Sequence, residues 1–168
     1  MLKKSILILF LSVLSVCVNA QEGWFKQKIS EKVSVTFPLE PKKINEQNYG
    51  IKDAEGVVYL VSFVDLLKAT GMPLNEFNEK IKAQQFADDF MGGLTPTMPK
   101  FIFKAAKIST LKGYTAYQVI GRDEPNKSTI AMNIVFVDGI AYSITNIITD
   151  GKNTKNRDIF LTNISITK

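Results

Sequence analysis

Thr129-Ile130-Ala131-Met132-Asn133-Ile134-Val135-Phe136-Val137-Asp138-Gly139-Ile140-Ala141-Tyr142-Ser143-Ile144-Thr145-Asn146-Ile147-Ile148 is a pair of β-rich runs joined by Asp-Gly. Asp-Gly in that setting is a strong hairpin signal, because both central residues of a type I′ turn need positive φ. Upstream, residues 114–120 form another β-rich run, separated from this one by the polar turn Arg122-Asp123-Glu124-Pro125-Asn126-Lys127. Residues 101–108 form one more, ahead of Leu111-Lys112-Gly113. Runs of this length punctuated by turn residues predict an antiparallel meander through the second half of the chain. A short closing helix over residues 154–161 and an edge strand at Ile164-Ser165-Ile166 complete it.

Working outward to the first half, Val33-Ser34-Val35-Thr36-Phe37 alternates apolar and polar side chains, the pattern of a half-buried strand. Pro38 and Pro41 close it, since proline has no N–H for a ladder. Residues 43–49 predict a further strand, and residues 50–56 a polar turn. Val57-Val58-Tyr59-Leu60-Val61-Ser62-Phe63-Val64 is almost continuously apolar, which suits a strand covered on both faces. Met72-Pro73 opens one long helix, predicted over residues 74–91, with Gly92-Gly93 as its stop. Leu74, Phe77 and Ile81 share one face of it, whereas Phe86, Phe90 and Met91 point elsewhere. Either the helix kinks near Gln84 or its second half is buried against two neighbours. The expected class is α+β: an antiparallel β-sheet meander flanked by helices.

The N-terminus carries a different kind of signal. Met1-Leu2-Lys3-Lys4 is positive, and residues 5–18 follow without a charge. That is the layout of a cleavable signal peptide over residues 1–20, and Val18-Asn19-Ala20 predicts cleavage between Ala20 and Gln21. The apolar run has 14 residues, too few to cross a hydrocarbon core that takes roughly 20, so no transmembrane anchor is expected after cleavage. Cys17 raises the alternative of lipid attachment, but Val16 before it is not the small residue such a site takes. Residues 21–168 are then expected to form a single α+β domain, exported to the periplasm or secreted.

Export also sets the residue inventory. Losing Lys3 and Lys4 lowers the net charge from +5 to +3, and the remaining lysines are spread rather than gathered on one face, which argues against nucleic acid. The lone cysteine leaves with the signal, and the chain has no histidine. Ser-His-Asp and Cys-His catalysis and imidazole or thiolate zinc sites are therefore closed to the mature chain. Acid–base work would rest on Asp, Glu, Lys or Tyr. Asp88-Asp89 diverge by about 100° on a helix, and Asp123-Glu124 sit in a turn. Asp150-Gly151-Lys152-Asn153 has Lys152 where a calcium loop needs an oxygen ligand. Gly92-Gly93 ends a helix instead of opening one, so it is no phosphate cradle. The sequons Asn126-Lys127-Ser128 and Asn163-Ile164-Ser165 would matter only in a glycosylating eukaryotic pathway. No catalytic, metal or cofactor residues are assigned.

Phe86, Phe90 and Met91 have two readings, core packing or the lining of a groove for a small apolar ligand. Trp24 and Phe25 likewise either plug one end of the domain or meet a partner protein of the envelope.

The order of elements also carries a resemblance. Phe37-Pro38-Leu39-Glu40-Pro41, Leu111-Lys112-Gly113-Tyr114, Gly139-Ile140-Ala141-Tyr142 and the terminal Phe160-Leu161-Thr162-Asn163-Ile164 recur at corresponding places, so that residues 24–167 resemble the PsbP/Mog1-like group of small exported bacterial proteins. The resemblance implies a central antiparallel sheet flanked by helices, an α/β/α sandwich. Members of that group serve unrelated roles, among them photosystem accessory subunits and a binder of a small GTPase, so no site residues carry over. Three functions remain in view. The first is an exported non-catalytic binding or accessory protein acting on an envelope protein or a small apolar ligand. The second is an enzyme using only carboxylates, Lys and Tyr, whose sign would be a cleft converging on Asp88, Asp123 or Tyr114. The third is a structural subunit of an envelope assembly, marked by a large apolar patch without a concave pocket.

Overall fold

The Asp138-Gly139 hairpin is present: both residues have positive φ, 50° and 82°, and the flanking strands pair in register from Ile140 opposite Val137 to Thr149 opposite Ser128. These strands are β9 (Ser128–Val137) and β10 (Ile140–Thr149), the centre of an eight-stranded sheet. The computed structural model describes residues 23–153 and 155–167. The predicted signal peptide, its cleavage point and Cys17 lie outside the described residues.

The meander runs as expected from β7 (Lys107–Leu111) through β8 (Tyr114–Asp123) into β9 and β10. Beyond β10 lie β5 (Val58–Asp65), β4 (Asn48–Lys52) and β3 (Lys42–Asn45), and every pairing is antiparallel. Residues 43–49, expected as one strand, are a hairpin instead. Its turn is fixed by the Asn45 side chain, whose Oδ1 accepts from Gln47 N and Asn48 Nδ2 at 2.9 and 2.8 Å. Residues 101–108 are also not one strand. β6 (Ile102–Phe103) and β7 both pair with β8, opposite residues 121–122 and 114–118, and the edge is broken between them. β1 (Phe25–Lys28), β2 (Val33–Phe37) and β11 (Ile164–Ile166) form a second sheet of three strands, a separate layer that no local sequence signal marks.

Side chains alternate along each strand, so the large sheet has two buried faces. On one face Tyr59, Val61, Tyr142 and Ile144 pack against Val33, Val35 and Phe37 of the small sheet. Helix α4 (Arg157–Thr162) seals that layer with Phe160, whose ring lies 5.0 Å from Phe37 and 5.2 Å from Tyr59. On the other face Tyr117, Met132, Ile134 and Phe136 meet the helices that link β5 to β6. These are α1 (Leu66–Thr70), α2 (Leu74–Lys80) and α3 (Gln84–Leu94). The architecture is an α+β antiparallel sheet with flanking helices, as the sequence predicts. Strand β5 is expected to be covered on both faces, but only Tyr59 and Val61 on the small-sheet side are buried; Phe63 and the other face are half-buried, and Val64 is exposed at its end.

The single helix predicted over residues 74–91 is two. Ala83 is extended, with φ −91° and ψ 138°, which breaks the rod between α2 and α3. The break is held from beneath: the Tyr117 hydroxyl donates to the Ile81 carbonyl at 2.7 Å, with both residues buried. Nor do Gly92 and Gly93 stop the helix. They stay within α3, which runs to Leu94 and passes into a 3₁₀ turn at Thr95–Thr97. The closing helix begins at Arg157, three residues later than expected.

Candidate functional site

A groove of about 510 Å³ opens between α1 and α3 on the helical side of the sheet. Leu66, Met72, Phe86 and Phe90 supply its apolar lining, and Thr70, Lys80, Gln85 and Asp89 stand at its margins. Its volume lies within the range of about 300–1,000 Å³ typical of small-molecule sites.

Three local features build the groove. The first is the seating of α1. Asp65 caps it by accepting from Lys68 N at 2.9 Å, Gly71 closes it in a left-handed conformation, and Leu66 N donates to Gly139 O at 3.0 Å. Leu66 and Thr70 thereby sit one turn apart on the same wall. The second is the Ile81–Ala83 break, which turns the chain so that α3 leaves α2 at an angle and Ala83 joins the lining. Gln84 Nε2 secures the start of α3, donating to Asp88 Oδ1 at 2.8 Å and to the Ala106 carbonyl at 3.3 Å. The third is the i, i+4 spacing of Phe86 and Phe90. Both are half-buried, and edge contacts to Phe77 at 5.8 Å and Phe136 at 5.8 Å hold them from behind.

Electrostatically the groove is quiet. Lys80 pairs with Glu76 at 2.7 Å, whereas Asp89 accepts from the neutral amide of Gln85 at 2.9 Å, so the lysine charge is matched and the carboxylate is hydrogen-bonded only. Tyr117, beneath the floor, has its phenol pushed up by burial and stays neutral. Such a lining suits a molecule that is mainly apolar, with the charges confined to the margin.

The sequence places Phe86, Phe90 and Met91 together, and the structure divides them. Phe86 and Phe90 line the groove, whereas Met91 is buried in the core under α3, one residue and about 100° further around the helix. Trp24 is half-buried against the small-sheet side of the core, and Phe25 lies opposite Phe37 on β1 with 38% of its surface exposed. Leu66, Thr70 and Met72 escape sequence reasoning. Their part in the groove depends on how α1 docks, and only the Gly139 turn hints at that.

The groups on which acid–base chemistry would rest do not converge. Asp88 and Asp89 are exposed on α3, each bonded to a glutamine one turn back. Asp123 is buried at a turn, where Asn126 donates to it from its backbone at 3.1 Å and its side chain at 2.8 Å, holding the carboxyl below its ordinary range. Tyr114 stands at the opposite end of β8. The Tyr142 hydroxyl does meet Ser30 Oγ at 2.9 Å beside Lys32, but Asp138 bonds the Lys32 ammonium and raises its pKa. A lysine held protonated cannot act as the base for that serine. Among the described residues no group of three His, Cys, Asp or Glu could hold a metal ion, and no helix is long and apolar enough to cross a membrane.

No family model matches the chain, and no curated protein matches it in sequence. Solved structures do match in shape. The solution structure of cyanobacterial PsbP (CyanoP) from Synechocystis sp. PCC 6803 aligns with a TM-score of 0.62 at 9% identity, over 90% of this chain and 97% of that one. A protein from Bacteroides thetaiotaomicron VPI-5482 aligns with a TM-score of 0.49 at 11% identity over 85% of this chain, which spans about half (48%) of the other's length. LpqN of Mycobacterium tuberculosis, described as involved in cell envelope biogenesis, aligns at 0.45 with 15% identity, over 89% of this chain and 82% of its own. The chain has the PsbP fold. At 9% identity the likeness extends to the fold and no further.

Proposed function

We propose that this chain is an exported, non-catalytic binding protein of the cell envelope that takes a small neutral apolar ligand in the groove between α1 and α3. The observation that carries this reading is the groove itself: about 510 Å³, two phenylalanines braced from behind, and a margin whose lysine is already paired with Glu76. The leader Met1-Leu2-Lys3-Lys4, its uncharged run and Val18-Asn19-Ala20 support export and release by cleavage after Ala20. The lack of histidine, and of cysteine after residue 17, supports a binding role over a catalytic one.

The test uses residues 21–168 and the neutral dye N-phenyl-1-naphthylamine, whose fluorescence rises in apolar sites. Saturable binding at one site per chain is expected. Phe86→Lys and Met72→Lys each place a charge on the lining at half-buried positions and should weaken binding at least roughly tenfold, since a desolvated unpaired charge costs more than 1.4 kcal/mol. Unchanged dye affinity in both variants, with dichroism showing them folded, sinks the proposal. So does a substrate turnover abolished by substituting a single acid or tyrosine.

A further inference from the structure

We infer that the cleft between α4 and the eight-stranded sheet is a second binding site, for a small neutral molecule carrying an amide N–H beside a compact branched apolar group, with the Asn133 side-chain oxygen as its acceptor. This cleft lies on the small-sheet side of the large sheet, opposite the aromatic groove, and does not depend on the function proposed for that groove. Its volume is about 260 Å³, the size of a fragment rather than of an elongated ligand.

Asn133 lies on β9 with only 8% of its surface exposed. Its Nδ2 donates to the Leu161 carbonyl of α4 at 2.9 Å. A carbonyl can only accept, so this bond fixes which end of the carboxamide is nitrogen and turns Oδ1 the other way. Among the described residues nothing donates to that oxygen, and it is not occluded, since Asn133 itself lines the cleft. The acceptor is open to the cleft, where a ligand N–H can bond it in place of solvent.

The walls define the rest of the ligand. Ile120, half exposed, with Ala131 and Leu161 gives an apolar surface short enough for a branched four-carbon group. Gln118 stands directly opposite Asn133 in the β8–β9 ladder, is exposed, and makes no hydrogen bond to a described residue, so its amide is available to a ligand carbonyl. The one cation at the margin, Arg157, is bonded to Asp158 at 2.9 Å. A neutral acceptor in the cleft, with Arg157 Nε held by Asp158 at the margin, suits an uncharged N–H donor such as an amide.

Isotope-labelled protein of residues 21–168, titrated with N-acetyl-leucinamide and followed by NMR, tests the assignment. Expected are saturating shifts centred on Ala131, Leu161 and the Asn133 side-chain amide. Methyl 4-methylpentanoate, which keeps the branched group but has no N–H, should bind roughly five- to tenfold more weakly. Ala131→Leu fills the cleft without touching the Asn133 bond, and Ile120→Asp alters a wall at an exposed position where folding is not at risk. Both should abolish the shifts. The inference fails if no saturable shift occurs up to the solubility limit, if the ester binds as well as the amide, if both variants bind normally, or if the shifts centre on Phe86 and Phe90. That last outcome would leave the aromatic groove intact and remove the cleft.

Discussion

Tyr117→Phe removes one oxygen atom from the middle of the helical layer and leaves the packing otherwise alone. The ring keeps its edge contacts with Phe136 at 4.6 Å and Phe90 at 6.1 Å. What is lost is the 2.7 Å bond to the Ile81 carbonyl, at a residue only 3% exposed, where the chain changes direction between α2 and α3. An orphaned buried acceptor costs about 1–3 kcal/mol. The exposed neighbour Lys82 lets the segment shift partly toward water, so about 1–2 kcal/mol is expected here. With about 2–4 °C of melting temperature per kcal/mol for a domain of this size, Tm should fall by roughly 2–8 °C. Urea unfolding with an unchanged slope gives the free energy, and hydrogen exchange at Lys82 and Ala83, whose N–H groups bond the Glu79 and Lys80 carbonyls, should quicken before the rest of the molecule opens. Affinity for the apolar dye should fall as well, because the break positions Ala83 on the groove. Tyr142→Phe is the control: its hydroxyl donates to Ser30 Oγ, which can find water, so the loss should be smaller. A Tyr117→Phe protein within about 0.3 kcal/mol of the parent, with unaltered exchange at residues 81–84, would refute the view that this phenol sets the helix break.

Gly139→Ala should cost at least about 1–2 kcal/mol from backbone strain at φ 82°, and more because the added Cβ would fall 2.2 Å from Leu67 Cγ. In a Leu67→Ala background the contact term vanishes, so a double-mutant cycle by urea unfolding should show coupling, and strict additivity would argue against this docking of α1. Alkaline pH is a further handle. Burial and the Asp53 charge push the Tyr59 phenol up to about 12, and burial raises Tyr117 and Tyr142. Unfolded phenols titrate near 10, so the folded state holds protons that the unfolded state gives up. The contribution of these tyrosines is therefore intact below about pH 10 and falls as pH rises from there to about 12. Thermal melts across that window, read beside phenolate absorbance, should show Tm dropping and these rings ionising together with unfolding. A flat Tm would contradict it.

Local chemistry explains which parts of the fold could be read from the chain. The Asp138-Gly139 turn, the alternation in β2 and the apolar run of β5 are decided by neighbours in sequence, and each appears where expected. The split of the predicted helix shows in the sequence only as the change of apolar face near Gln84; the bond that holds the break, from Tyr117 to the Ile81 carbonyl, comes from 36 residues away and leaves no mark within residues 74–91. The broken edge strand depends on where β8 offers partners, and the three-stranded sheet on β11 returning to β2 from the far end of the chain. Phe86 and Phe90 were visible as a pair because helical spacing alone puts them on one face. The same spacing assigns Met91 to their face too broadly, since its position about 100° further around the helix puts it in the core. The Asn133 cleft was invisible, since its bond to Leu161 spans 28 residues and an asparagine in an apolar strand carries no signal of an open acceptor.

The two margins of the eight-stranded sheet have a bearing on how this protein meets others. One is β3, four exposed residues beginning with Lys42-Lys43; the other is an outer strand that stops at Phe103 and resumes at Lys107. An incoming chain seeking to extend the sheet would find lysines along one side and a ladder out of step on the other. Polymerisation by strand addition is thus disfavoured on both sides, although so much of the molecule is sheet. Association by extension of the large sheet is thereby discouraged, which leaves its faces, with the aromatic groove on one and the Asn133 cleft on the other, as the open surfaces of that layer.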